Sequence, residues 1–236
     1  MAENCLLYYI TDRSAFPGDE SSRRRHLLKK IAEAARAGVD YIQLREKDLP
    51  TRQLEPLAAE AMQIIRQLRN ENRELRTELL INSRTDIALA VAADGVHLPS
   101  NDVLLSEVRA VWKRVCGAGT PFDKLRAGYA REISPREPLI AISCHSTQDI
   151  AQAAASAATF VVFGPVFEKK DSPDVRATSL DLLRQACRAK IPVLALGGVT
   201  LQNAEYCLDA GAAGIAAIRL FQENDIAAIV RTLRGN

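Results

Sequence analysis

What this 236-residue chain lacks narrows it first. It has no uninterrupted apolar run of about eighteen residues, the length a helix needs to cross a bilayer, and no cationic start followed by a long apolar stretch. The expectation is a cytoplasmic protein without membrane association. Excess charge is also lacking: 31 Lys and Arg against 29 Asp and Glu leave a formal net charge of +2, and the basic residues are spread along the chain. That balance excludes general nucleic-acid binding and leaves small anions as ligands. The five cysteines, Cys5, Cys116, Cys144, Cys187 and Cys207, form an odd set without a paired short spacing. Neither a disulfide framework nor a zinc site is expected, and the thiols read as reduced. The glycine-rich phosphate loop that opens a doubly wound sheet is missing too, since the first strand runs straight into YYITDRS.

What is present is enough apolar sequence for a sizeable core, at 47% against 25% charged, and a regular beat. Short β-type runs (CLLYYITD, YIQLRE, ELLINS, GVHLP, LIAISCHS, FVVFGPV, PVLALGG, GIAAIRLF) alternate with amphipathic stretches. The stretches are expected as helices over 21–37, 52–70, 85–93, 102–112, 147–158, 179–189, 201–210 and 223–234. Helix-to-strand junctions recur as ARAGVDYIQL, VAADGVHL, SAATFVVF and DAGAAGIAAI, where small residues and glycine release the chain into a buried parallel strand. Eight such units predict an α/β fold, a (β/α)8 TIM barrel, as a single domain over 1–236. Residues 113–137, rich in Gly, Pro and charge, break the beat and read as a flexible surface insertion at the bottom of the barrel, with a partner-binding loop as the other reading.

On such a barrel the active site lies at the C-terminal ends of the strands, so each polar residue is tested by position. In YIQLREKD, alternation puts Gln43, Arg45 and Lys47 on one face and Glu46 and Asp48 on the other. A guanidinium fork and a compact ammonium beside an amide suit a phosphate or diphosphate; the other reading is a rim whose cations are paired with Glu46 and Asp48. Asn82 and Ser83 end the third strand, Asp102 follows the fourth, and Ser143 and His145 end the fifth. His145 reads either as a proton carrier or as a structural histidine bonded to a carbonyl. His97 reads as a packed barrel residue and His26 as solvated. Gly197 and Gly198 end the seventh strand, and a helix expected to open at Thr200 presents backbone N–H groups to an anion. Lys169, Lys170 and Asp171 lie in a loop long enough to close over a ligand, or simply to be solvated.

Taken together, QLREK, the IN-R-DIALAV-ADGVHL block, S-H-S, FGPVF and PVLALGGVT-NA-AGAAGIA resemble the thiamine phosphate synthase family and its relatives the thiazole tautomerases, from YYITD to the last strand. The resemblance implies coupling of hydroxymethylpyrimidine diphosphate to a thiazole phosphate carboxylate, giving thiamine phosphate and pyrophosphate. It implies that Gln43, Arg45, Lys47 and Asn82 hold the diphosphate, that Ser143 contacts the pyrimidine, and that Lys170 serves the closing loop. Gly197, Gly198, Ile218 and Arg219 would surround the thiazole phosphate. Ser143, His145 and Lys47 are the candidate catalytic groups, and Mg²⁺ would sit on Asp102. A homodimer is implied as well. The chain departs from the synthase pattern at Ser83, which replaces an expected Asp, and in FEKKDSPDVR, which replaces a Thr-x-Thr-Lys loop. Those departures carry two alternatives: a thiazole phosphate tautomerase that uses His145 without metal, and a non-catalytic binder of thiamine intermediates.

Overall fold

The computed structural model describes residues 5–116, 137–167 and 179–235. Eight strands, β1 (Leu6–Ile10), β2 (Tyr41–Leu44), β3 (Glu78–Asn82), β4 (Gly95–Pro99), β5 (Leu139–Cys144), β6 (Phe160–Phe163), β7 (Val193–Leu196) and β8 (Gly214–Ala217), close into a barrel in sequence order. Each pairs with its neighbours in parallel, and β1 meets β8 through Leu6 and Gly214. This is the (β/α)8 barrel that the alternating pattern predicts.

The helices are α1 (Glu20–Arg36), α2 (Thr51–Glu71), α3 (Thr85–Ala90), α4 (Leu105–Cys116), α5 (Thr147–Ala155), α6 (Leu180–Ala186), α7 (Ala204–Asp209), α8 (Arg219–Gln222) and α9 (Ile226–Arg234), with a 3₁₀ turn at Arg13–Ala15. Their spacing explains why they form and what they bury. On α2, Leu54, Leu57, Ala58, Ala61, Met62, Ile65 and Leu68 fall on one face and are buried; each such Leu or Ile contributes about 1.5–3 kcal/mol of burial. Capping fixes the starts: Asp19 accepts from Ser22 N, Asp225 from Ala228 N, and Ser146 with Asp149 forms a reciprocal capping box on α5.

Several boundaries differ from the expectation, and those that shape the two ends of the barrel have identifiable causes. The helix α4 runs on through Cys116, so residues 113–116 belong to it and not to the insertion; the rest of the insertion, 117–136, lies outside the described residues. The run GIAAIRLF does not stay extended: Ile218 adopts φ −95°, ψ −74° and turns the chain into the four-residue α8. The helix expected from Thr200 starts at Ala204. No helix among the described residues is long and apolar enough to cross a membrane.

Inward-facing side chains fill the barrel. Tyr8, Ile10, Leu80, Ala141, Phe160, Val162, Leu194 and Ala216 form its central cluster, with the Tyr8 ring edge-on to Phe160 at 5.3 Å and Tyr41 stacked on Phe160 at 4.7 Å. The floor is closed by charged pairs. Asp40, just ahead of β2, accepts from Leu7 N of β1 at 2.7 Å and meets Arg234 of α9. Asp94, just ahead of β4, accepts from Leu79 N of β3 at 2.8 Å and meets Arg69 of α2 at 2.7 Å.

Candidate active site

At the mouth, β2 stops at Leu44 because the next amide leaves the ladder: Arg45 N donates to Thr11 Oγ1 at 3.0 Å. The alternation expected through Lys47 therefore reaches only Gln43 on the strand, and Lys47 lies in a turn beyond it. The two acids of this segment are taken by Arg13. Glu46, 4% exposed, accepts from Thr11 Oγ1 at 2.6 Å, from Arg13 N at 3.0 Å and from Arg13 Nη1 at 3.2 Å. Arg13, equally buried, also binds Asp48 through Nη1 and Nη2 at 2.7 and 2.8 Å and Glu20 through Nε at 2.7 Å. Burial pushes the Glu46 carboxyl up against the pull of its donors, while the bidentate Arg13 contact holds Asp48 below the usual carboxylate range.

Because Arg13 takes both acids, Arg45 and Lys47 have no ion pair among the described residues. They are close enough that the Arg45 charge is the main cause lowering the Lys47 ammonium. Two cations that repel each other without an anion between them have the charge and spacing to receive a multiply charged anion.

Below them an uncharged relay crosses the barrel. Gln43 Nε2 donates to Tyr8 OH at 3.2 Å, Tyr8 OH meets His97 Nδ1 at 3.0 Å, and His97 Nε2 meets Ser143 Oγ at 2.7 Å. Gln43, Tyr8 and His97 are 1%, 0% and 3% exposed. Burial, with the Arg45 charge adding to it, pulls the His97 imidazolium down to about 3, so the ring is neutral at physiological pH. Burial likewise raises the Tyr8 phenol well above its ordinary value and keeps its proton. His97 is thus packed in the barrel as its sequence position suggests, and it also joins two sequence-predicted residues, Gln43 and Ser143.

Asn82 is half-buried opposite His97 in the ladder, and the exposed Ser83 turns into the left-handed region at φ 54° while donating its N–H to His97 O at 2.8 Å. Asp102 is exposed after β4, with Oδ1 accepting from Val103 N at 2.8 Å. Among the described residues no three His, Cys, Asp or Glu side chains gather as a cluster of metal ligands. One carboxylate fits only a cation that takes its remaining ligands from water and phosphate oxygens, as Mg²⁺ does.

On the far side Gly197 and Gly198 have φ of 96° and 65°. A Cβ on Gly197 would come within 2.5 Å of Pro165 Cβ, so the β6 loop packs on bare backbone there. Thr200 N–H does not face an anion: it donates to Asn203 Oδ1 at 2.7 Å, while Asn203 Nδ2 donates to Gly198 O at 3.0 Å. That side-chain turn is why α7 starts late. The helix that opens at the mouth is α8. It has no side-chain cap, so Leu220 N and Phe221 N in its first turn lack intrahelical acceptors. Gln222 anchors it, accepting through Oε1 from Tyr9 OH at 3.1 Å and donating through Nε2 to Asp12 O at 2.5 Å. Ile218 is half-buried and Arg219 exposed at its start.

His145 is exposed and its Nδ1 donates to Gly164 O at 2.7 Å, the carbonyl-bonded arrangement; Nε2 has no partner among the described residues. Lys169, Lys170 and Asp171 lie outside the described residues. Sequence reasoning missed Arg13, Tyr8 and Gln222. For Tyr8 a signal existed, since period-two alternation in LLYYI puts it on the same inward face as Gln43, His97 and Ser143 in their strands.

The thiamine monophosphate synthase family model matches residues 7–121 and 121–221. Similar proteins include the thiamine-phosphate synthase of Syntrophomonas wolfei, 34% identical over 97% of this chain and 94% of that one. The thiamine-phosphate synthase of Halalkalibacterium halodurans is 34% identical over 86% of this chain and 84% of its own. Among solved structures, thiamine phosphate pyrophosphorylase from Pyrococcus furiosus overlays with a TM-score of 0.71 at 28% identity, covering 99% of this chain and 96% of that one. 3-Hexulose-6-phosphate synthase, at 17% identity and a TM-score of 0.55, shares the fold alone.

Proposed function

The chain belongs to the thiamine monophosphate synthase family, and from that premise we propose that it is a transferase joining a pyrimidine methyl diphosphate to a thiazole phosphate carboxylate. The observation that carries this reading is the division of labour at β2, where Arg13 consumes Glu46 and Asp48 and leaves Arg45 and Lys47 for an anion. The relatives do not favour the isomerase or the non-catalytic binder.

In the reaction the C–O bond to the diphosphate breaks with its electron pair leaving as pyrophosphate. The pyrimidine methylene carbon then forms a C–N bond to the thiazole nitrogen, the carboxylate departs as CO₂, and the ring carbon it leaves takes up a proton from solvent. Charge builds on the leaving diphosphate, and cations already in place stabilise it more in the transition state than in the ground state. Arg45 and Lys47 take that role, with Asn82 beside them, while the Gln43 side chain, turned to Tyr8, faces the heterocycle. Ser143 orients the pyrimidine. Gly198 and the uncapped start of α8 receive the thiazole phosphate, a use of the strand 7 and 8 loops and a short extra helix that recurs on this fold. Mg²⁺ would be held by Asp102 with substrate oxygens and water, and when bound it neutralises diphosphate charge.

The test is an assay of the purified protein with both phosphorylated precursors, with and without Mg²⁺, following pyrophosphate and thiamine phosphate. Formation of both products in equal amounts is expected; their absence under both conditions rejects the reading.

A further inference from the structure

We propose that Gln43 and Ser143 act as the two ends of one coupled reader of the substrate heterocycle, because the Tyr8–His97 relay forces them to show opposite hydrogen-bonding character to the mouth. The proposal rests on the pyrimidine reading above and adds positioning roles for Tyr8 and His97.

The relay holds too few hydrogens for its ends to vary independently. The Tyr8 hydroxyl has one proton and a neutral imidazole has one. Gln43 Nε2 donates to Tyr8 OH, so the Tyr8 proton goes to His97 Nδ1 and that nitrogen accepts. His97 then carries its proton on Nε2 and donates it to Ser143 Oγ. The Ser143 proton is left over and points to the mouth, while Gln43 keeps its Oε1 as an acceptor. Turning the Gln43 amide over reverses every step. Tyr8 then donates to Oε1, His97 carries its proton on Nδ1, Ser143 donates to Nε2, and the mouth sees a donating amide and an accepting serine.

Mixed arrangements leave the Tyr8 proton without an acceptor or set two acceptors face to face at Tyr8 OH, among Gln43, Tyr8 and His97, which are 0% to 3% exposed. A doubly protonated imidazole would relax the rule, and burial suppresses it. The relay therefore has two polarities, and in each the two ends are opposite.

An aminopyrimidine offers a donating amino group beside an accepting ring nitrogen and matches the observed polarity. The corresponding pyrimidinone offers an accepting carbonyl beside a donating ring N–H and matches the reversed one. A methoxypyrimidine offers two acceptors and matches neither.

The experiment measures affinity for the three diphosphates in the wild-type protein and in Tyr8→Phe, and records the ¹⁵N shifts of His97, assigned by comparison with His97→Gln. Wild-type binding is expected to weaken from amino to oxo to methoxy, the last by about 10- to 100-fold against amino, the cost of one unmatched buried group. In Tyr8→Phe the two ends turn independently, and the methoxy penalty is expected to shrink by about tenfold or more. His97 is expected as the Nε2–H tautomer in the free protein and with the amino compound, and as Nδ1–H with the oxo compound. An unchanged tautomer in the oxo complex, or a full methoxy penalty in a folded Tyr8→Phe protein, overturns the proposal. If none of the three binds while free His97 is Nε2–H, the pyrimidine assignment fails and takes the reader with it, and the relay alone stands.

Discussion

At the floor of the barrel Arg69 and Arg234 each close on an aspartate, whereas at the mouth Arg45 and Lys47 close on no carboxylate among the described residues. The side-chain chemistry is the same at both ends. At the floor each carboxylate has a second task, accepting the second amide of a strand, Leu7 N for Asp40 and Leu79 N for Asp94. The guanidinium there completes a structural bond and its charge is spent. At the mouth Arg13 performs the same structural service for Glu46 and Asp48, and so frees the two cations beside it. Charge that stabilises the barrel is paired within it, and charge left over at the C-terminal end is what the proposed reaction draws on.

The largest expected effect breaks the comparison at the mouth. Arg45→Ala should lower kcat/KM by about 10²–10³-fold, the cost of one preorganised group on a developing charge, while the urea midpoint stays put. A midpoint that falls in step with activity would make Arg45 a floor-type arginine. At the floor the reverse is expected: Arg234→Ala or Arg69→Ala should cost about 2 to 3 kcal/mol in urea unfolding, below the full price of a buried pair because both pairs are partly exposed, with kcat/KM within about twofold of wild type.

Between the two ends lies the neutral relay, and pH tests it. His97 has a folded value near 3, below the ordinary 6.5 it regains on unfolding, so the unfolded chain binds the extra proton. The stability it contributes is complete above about pH 6.5 and is lost as pH falls toward 3. Acidification from about pH 7 to 5 should cost about 2 kcal/mol from this group, a slope that His97→Gln removes in denaturant titrations at each pH. The smallest effect concerns Ser83. Aspartate tolerates the left-handed region that Ser83 occupies, so Ser83→Asp should change stability by less than about 0.5 kcal/mol. The same change should lower the Mg²⁺ concentration at half-maximal rate; an unchanged metal titration would place the metal elsewhere.

The strands were legible because each is a short apolar run between turn residues, and the floor because its junctions repeat in ARAGVD and VAADGV. The mouth was legible by residue type at Gln43, Arg45 and Ser143. Its connections were not, because the partners are distant in sequence: Tyr8 to His97 spans 89 positions and His97 to Ser143 spans 46. The end of β2 was misplaced since it depends on the Thr11 hydroxyl, 34 positions away from Arg45. The start of α7 was misplaced since the Asn203 side chain competes for the Thr200 amide. Glu46 and Asp48 face away from Lys47 in a pattern argument, but only the fold supplies the Arg13 that occupies them.

The seam between β1 and β8 has a consequence for how the protein is made. Arg234 reaches back to Gly38 O at 2.9 Å and Cys5 O at 3.3 Å, and Gln222 grips the backbone of Asp12, across 196, 229 and 210 positions. Contacts of that span close last, after the intervening chain has been ordered. During synthesis the first strand must wait, unpaired on one side, until β8 has emerged from the ribosome. The α8 side of the mouth is completed only in that last step, so a nascent chain that stalls short of it holds Arg45 and Lys47 after β2 without the uncapped start of α8.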